Sequence, residues 1–314
     1  MTSEEVLAPS HRRRAYWHTA LTLAVLVGAG YLARRHWPVL ETGAVRLAVA
    51  DQGWLCVAAS AAAMTWLCSA LAQQGAVTAR LPPGRLVAAQ FAASAANHVL
   101  PAGLGAGAVN LRFLMRCGMP AGRAATALAV KASVGGVVRG ALIAVLALAC
   151  PGVLLMPSLS GGWVAAGGAM TVTAGATAVV LRSTRCRRAL AAVVADIRAV
   201  HARPQRAAAL WGGSLAFAAL HCAVLIGVTQ AVALPLSPVR VALLYLAASS
   251  AAALLPTPGG LGSLDAALAF ALTAGGAPAS AAASAVLGYR LLTMWLPLVP
   301  GLLVLGLLIR RKAL

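Results

Sequence analysis

The chain has 314 residues, 61% of them hydrophobic and only 10% charged, with a mean hydropathy of +0.86. A soluble domain carries about 25% charged residues, so this composition cannot cover a water-facing surface and excludes a free-standing soluble fold. The net charge of +19 does not point to nucleic acid, because the basic residues sit in short clusters between apolar runs, as the positive-inside rule distributes them.

In chain order, Arg12-Arg13-Arg14 precede an apolar run from Ala15 to Ala33, and Arg34-Arg35-His36 follow it. The run is longer than a signal-peptide core and has no small-residue cleavage site after it, so it reads as a retained first span at about 15–33. A second span is expected at about 53–73, after which Arg80 and Arg85 return to the side of the N-terminus. The segment 86–116 is apolar but broken by Pro101-Ala102-Gly103-Leu104-Gly105-Ala106-Gly107. Glycine and proline at this density stop a helix, and each half is too short to cross a core of about 30 Å. A single broken crossing would later place the arginines of 182–206 outside. A re-entrant hairpin keeps them inside, and Arg116 and Arg123 with them, so the hairpin is expected.

Spans at about 124–149 and 161–181 then deliver the Arg-rich loop 182–206 to the cytoplasm, and 207–233 crosses outward. Residues 241–274 are again broken, at Pro256-Thr257-Pro258-Gly259-Gly260-Leu261-Gly262, and read as a second hairpin entering from outside. A last span through Leu291 to Ile309 ends at Arg310-Arg311-Lys312. The expected fold is all-α, a single transmembrane domain over 15–309 between basic tails 1–14 and 310–314. It comprises six full spans plus two re-entrant hairpins, multi-pass in the cell membrane with both termini cytoplasmic. The six cysteines are scattered and form neither a disulfide framework nor a zinc pattern.

The two hairpins resemble one another. Pro101-Ala102-Gly103-Leu104-Gly105 matches Pro258-Gly259-Gly260-Leu261-Gly262, and Arg85 precedes Pro101 by the interval that separates Arg240 from Pro256. Three spans lie between the copies in this topology, so they enter from opposite faces. Inverted repeats with broken helices meeting near mid-membrane are a mark of transporters.

At these motifs the sequence resembles a known family. Leu254-Leu255-Pro256-Thr257-Pro258-Gly259-Gly260-Leu261-Gly262-Ser263-Leu264-Asp265, followed by Gly288-Tyr289-Arg290 through Pro297, is similar to the flippase-like transmembrane domain found in lysylphosphatidylglycerol synthases and in stand-alone membrane proteins. Asn97-His98-Val99-Leu100-Pro101-Ala102-Gly103 is similar to that family's first hairpin, and the likeness covers about residues 15–310. The family usually carries Glu at the place of Asp265, and an acidic-then-Arg pair in the span after the first hairpin, where this chain reads Val130-Lys131-Ala132-Ser133. With the chain ending just after Lys312, the synthases' aminoacyltransferase domain is not expected, and the resemblance implies lipid translocation rather than lipid aminoacylation.

Ionisable residues inside spans are costly and default to function. Lys131 and Arg139, eight residues apart and close to one helical face, are candidates, as is Arg290, which also matches the family motif. Each has the plainer role of snorkelling or bonding to carbonyls. Asp265 suits the first turn of a helix capped by Ser263, and a coupling ion or proton is its functional alternative. Asn97 and His98 end the first half-helix, where they satisfy broken backbone or contact a headgroup, while His221 suits an interhelical hydrogen bond.

Glycine turns feeding a helix N-terminus present free N–H groups that suit an anion, which adds Pro101, Gly103, Thr257, Pro258, Gly259 and Gly260. Several intramembrane bases with at most one acid favour a phosphate-bearing lipid headgroup as ligand. No cofactor or metal is expected, and no nucleic-acid partner. Two other readings stay open: a glycosyltransferase using a polyprenyl-phosphate donor, for which the external loops offer only Glu41 and Asp51, and a non-catalytic partner subunit of a cell-envelope complex.

Overall fold

The charge-free runs of the sequence become long helices. The computed structural model describes residues 41, 45–99, 104–149, 195, 197–199, 201–253 and 262–311, and no strand occurs among them. The expected spans at 15–33 and 161–181, most of the Arg-rich loop, and both hairpin tips (100–103 and 254–261) lie outside the described residues.

Helix α1 (Gln52–Gly75) starts at Asp51, whose carboxylate accepts from Trp54 N at 2.9 Å, a cap worth about 1 kcal/mol. Next come α2 (Pro83–Val99), α3 (Leu104–Arg116), α4 (Ala121–Ala149), α5 (Pro204–Ala231), α6 (Pro238–Ala253) and α7 (Ser263–Ala274). The chain ends with α8 (Ala279–Arg290), a π-helical turn at Leu291–Trp295, and α9 (Leu296–Arg310). Helices α2, α5 and α6 begin at Pro, whose fixed φ suits the first helical position and whose missing N–H would be unpaired there anyway. Four stretches are long and apolar enough to cross a membrane: α1, α4, α5 and the continuous helix Ala279–Arg310 of 32 residues. The last of these begins twelve residues before the Leu291 expected from the sequence. The charge-free window starts only after Arg290, but the helix carries Arg290 inside it, because that side chain is buried against a carboxylate.

Helices α1 and α5 run antiparallel in close contact, held apart only by small residues. A Cβ on Gly75 would lie 2.3 Å from Leu210 N, and one on Gly213 would lie 2.6 Å from Ala72 N. Gly227 sits against Ala58 and Trp54 at the far end of the pair. Such backbone-to-backbone approach is how membrane helices gain van der Waals energy without a hydrophobic driving force. At one end, Arg206 of α5 reaches over the α1–α2 turn. Its guanidinium donates to the carbonyls of Gln74 (2.7 Å), Val77 (2.9 Å), Ala79 (3.1 Å) and Thr78 (3.2 Å).

Among the described residues the apolar interior falls into two large cores and a smaller third one, in which Val130, Val134 and Val138 of α4 cluster with Ala76 and Leu210. One large core joins α1, α5, α6, α7 and α8 around Leu225, Leu246, Leu268 and Tyr289. The other joins α2, α3 and parts of α1, α4 and α9 around Phe113, Leu114 and Ala92. Each large core holds one helix pair of the broken type, and the two pairs end in the same local device. After α3, Gly118 adopts φ +88°, its N–H bonds Met115 O at 3.0 Å, and Met119 N bonds Leu114 O at 3.2 Å. After α7, Gly276 adopts φ +98°, with Gly276 N to Thr273 O at 2.9 Å and Ala277 N to Leu272 O at 3.0 Å. Both are Schellman motifs that need a left-handed residue, which glycine supplies without strain. A proline follows each, Pro120 and Pro278, and the next helix starts directly after it.

Candidate functional site

Between the two large cores lies a cavity of about 260 Å³, walled by α1, α2, α3, α4 and α5 with Thr293 of the π turn. Its polar wall is built around Lys131. The ammonium donates to Ser69 Oγ at 3.0 Å and to Gln90 Oε1 at 3.1 Å. Ser69 in turn donates to Gln90 Oε1 at 2.8 Å, Gln90 Nε2 donates to Asn110 Oδ1 at 2.6 Å, and Asn110 Nδ2 to Ala106 O at 2.9 Å. The chain of donors thus runs away from the lysine, and every acceptor that faces it is neutral. An ammonium has three donors and the described residues supply two acceptors, with no carboxylate within ion-pair distance among them. A cation in a span costs about 2.5–3.5 kcal/mol or more to insert. Two neutral hydrogen bonds only partly offset that.

Asn97 and His221 also line the cavity. His221 Nδ1 lies 3.1 Å from Tyr289 Oη, the interhelical bond expected for a mid-span histidine, and Tyr289 Oη lies 3.0 Å from Tyr245 Oη. The imidazole stacks on the Tyr245 ring at 6.2 Å. The histidine is therefore held by two buried tyrosines and presents one face to the cavity.

The remaining candidates lie elsewhere. Arg139 shares α4 with Lys131 but turns to another neighbour, donating to Ser249 Oγ on α6 at 2.8 Å. Their eight-residue spacing leaves them about 80° apart around the helix, enough to face different elements. Arg290, 6% exposed, forms an ion pair through Nε with Asp265 Oδ1. The other carboxylate oxygen accepts from Gly262 N at 2.9 Å, closing a capping box at the start of α7. The cap residue is Gly262, at φ +80°, so Ser263 is the first helical residue and not the N-cap expected from the sequence. The conformation explains the difference, since a positive φ admits glycine far more easily than serine. His98 falls in the last turn of α2 and does not line the cavity. Pro101, Gly103, Thr257, Pro258, Gly259 and Gly260 lie outside the described residues.

Ser69, Gln90 and Asn110 were not among the candidates read from the sequence. Three neutral side chains on three helices carry no charge signal, and only packing brings them to Lys131. A usable trace was present in Thr65 and Ser69, one turn apart in an otherwise apolar run and both on the cavity.

A search of curated proteins finds no significant match to this chain. The family model for the lysylphosphatidylglycerol synthase TM region, by contrast, matches residues 19–301. That match spans most of the chain and agrees with the apolar helices in describing a multi-pass membrane protein with a membrane-lipid-related role. The chain belongs to the family of the lysylphosphatidylglycerol synthase transmembrane region.

Proposed function

We propose that this protein translocates a lipid with an anionic, phosphate-bearing headgroup between membrane leaflets, with the headgroup held at Lys131. The observation that carries the reading is a buried ammonium whose described partners are all neutral, facing a cavity between the two helical cores. The cavity's approximately 260 Å³ approaches the lower end of ligand pockets, and room for a headgroup alone is what a lipid carrier with its tails in the bilayer requires. Asn97 and the His221 face add hydrogen-bonding groups to the same wall.

The hairpins supply the moving parts of this reading. Leu86, near the start of α2, shares a core with Phe113 and Leu114 near the end of α3, which supports a first hairpin returning to the face it entered. Gly275, at the end of α7, packs on Leu244 in the first half of α6, in keeping with a second hairpin of the same kind. Positive-inside counting orients the two oppositely, with the Arg80, Arg203 and Arg206 end cytoplasmic. Arg290, neutralised by Asp265, is in this reading an architectural cation, and Lys131 is the ligand's.

The test is a leaflet-resolved assay in vesicles containing fluorescent phosphatidylglycerol. Lys131→Gln should slow translocation at least about tenfold, equivalent to roughly 1.4 kcal/mol of lost stabilisation, at equal folded amounts. Lys131→Arg should retain most of it. A wild-type rate in Lys131→Gln overturns the reading.

A further inference from the structure

We infer that the Lys131 cavity opens past the side chain of Gln73 into a second cavity beside Arg123, and that this is the passage by which a phosphate group enters or leaves. The inference rests on the anion reading of Lys131 for its ligand and on separate geometry for its route.

On α1, Thr65 and Ser69 line the first cavity, while Ala76 and Val77, directly after its end, line a second, water-sized one of about 20 Å³. Gln73 stands one turn from Ser69 and one turn from Ala76–Val77, on the same stripe of the helix. The facing helix repeats the arrangement: Lys131 lines the first cavity and its neighbour Val130 the second, which continues to Arg123. Gln73 itself lines neither cavity, but it is the α1 residue one turn from the lining residues of each, and so the step between the two spaces.

That side chain is 0% exposed, and neither Nε2 nor Oε1 has a hydrogen-bond partner among the described residues. Its neighbour Gln74 is fully engaged, donating to Ala79 O at 2.9 Å and accepting from Leu81 N at 2.9 Å. A buried amide with both ends unmet is costly, and a membrane interior offers no general solvent to relieve it. A polar group at this position is explained if its partners are what passes: a phosphate, which accepts from Nε2, and accompanying water, which donates to Oε1.

The experiment places cysteine at the step (Gln73→Cys) after replacing the six native cysteines with alanine. The protein, in vesicles, is exposed to an anionic membrane-impermeant thiosulfonate, alone and with either inorganic phosphate or dihexanoyl phosphatidylglycerol. Modification that either anion slows by about threefold or more supports the passage, and the anion that shields identifies a free phosphate or a lipid headgroup as the traveller. No modification from either side, or modification that neither anion slows, overturns it. Should the cysteine variant fail to fold, Gln73→Leu removes the amide at near-constant volume. It should melt no lower than wild type and pass phosphatidylglycerol or inorganic phosphate, whichever the wild type moves, about fivefold more slowly, and unchanged rates for both overturn the passage. Because Lys131→Gln is scored by translocation alone, a shielded Gln73→Cys beside an unaffected Lys131→Gln sinks the lipid-carrier reading without touching the passage.

Discussion

The two broken helix pairs, α2–α3 and α6–α7, share the order of their described elements and differ in charge. Each is an apolar helix opening on proline, a second and shorter helix, a Schellman turn on a left-handed glycine, then a proline that starts a long helix. Each long helix carries a cation at nearly the same place: Lys131 stands eleven residues after Pro120, and Arg290 twelve after Pro278. In the second half the hairpin supplies Asp265 from the first turn of α7, and the pair closes. In the first half the early positions of α3 are Ala106, Gly107 and Ala108, and the cation faces neutral groups across a cavity that Ala106 lines. One missing carboxylate is thus enough to turn a structural pair into a candidate binding site on the same scaffold.

The comparison can be broken most forcefully at the closest backbone approach, which among the described residues of the two pairs belongs to the first. A Cβ on Gly105 would lie 2.1 Å from Ala96 O and 2.7 Å from Asn97 N. Gly105→Val should therefore cost about 3 kcal/mol or more, seen as lost folded protein in detergent, because backbone cannot step aside as a side chain can. Leu264→Val, in the first turn of α7, should cost only about 1 kcal/mol by the same measure.

Next in size is the ion pair. Asp265→Asn leaves Arg290 buried without its counter-charge and one of two hydrogen bonds unmade. Breaking a fully buried pair costs about 3–5 kcal/mol. With the Asp265 side chain 32% exposed, a loss of about 2 kcal/mol is expected in thermal melting. A melting curve indistinguishable from wild type would reduce Asp265 to a helix cap that Asn replaces.

Ala106→Asp imports the second hairpin's acid into the first. It should pair with Lys131 and slow translocation about tenfold while leaving the melting temperature within a few degrees of wild type. Unimpaired translocation would mean that the open cation is not the ligand's. The smallest effects should be equal ones: Gly118→Ala and Gly276→Ala each cost about 1 kcal/mol, from backbone strain alone. Nothing lies within 4 Å of the added methyl at either turn. Unequal costs would show that the two turns are alike in outline only.

How much of this was legible in the sequence follows from what a bilayer enforces. Helix positions could be read closely, since a crossing demands a long charge-free run, and the ends of α1, α4 and α5 fall within a few residues of those runs. The start of the last long helix was hidden because its charge is cancelled by a residue 25 positions earlier, a pairing that no local window reports. Lys131 could be read as an intramembrane base, but its partners could not. Ser69, Gln90 and Asn110 look like ordinary polar interruptions until α1, α2 and α3 are packed. The Gly-rich tips, the most recognisable part of the sequence, lie outside the described residues, and the cavity lining at Asn97 and Ala106 stands three residues along the chain from the first of them.

The Arg206 grip on the α1–α2 turn has a mechanical consequence. With four carbonyls riveted at one end and glycines interlocked along the length, α1 and α5 behave as a single stiff beam. Sliding one past the other would require breaking the rivet and riding Leu210 over Gly75. Any widening of the cavity is then expected of its other walls, α2, α3 and α4, with the α1–α5 pair as the fixed frame they move against.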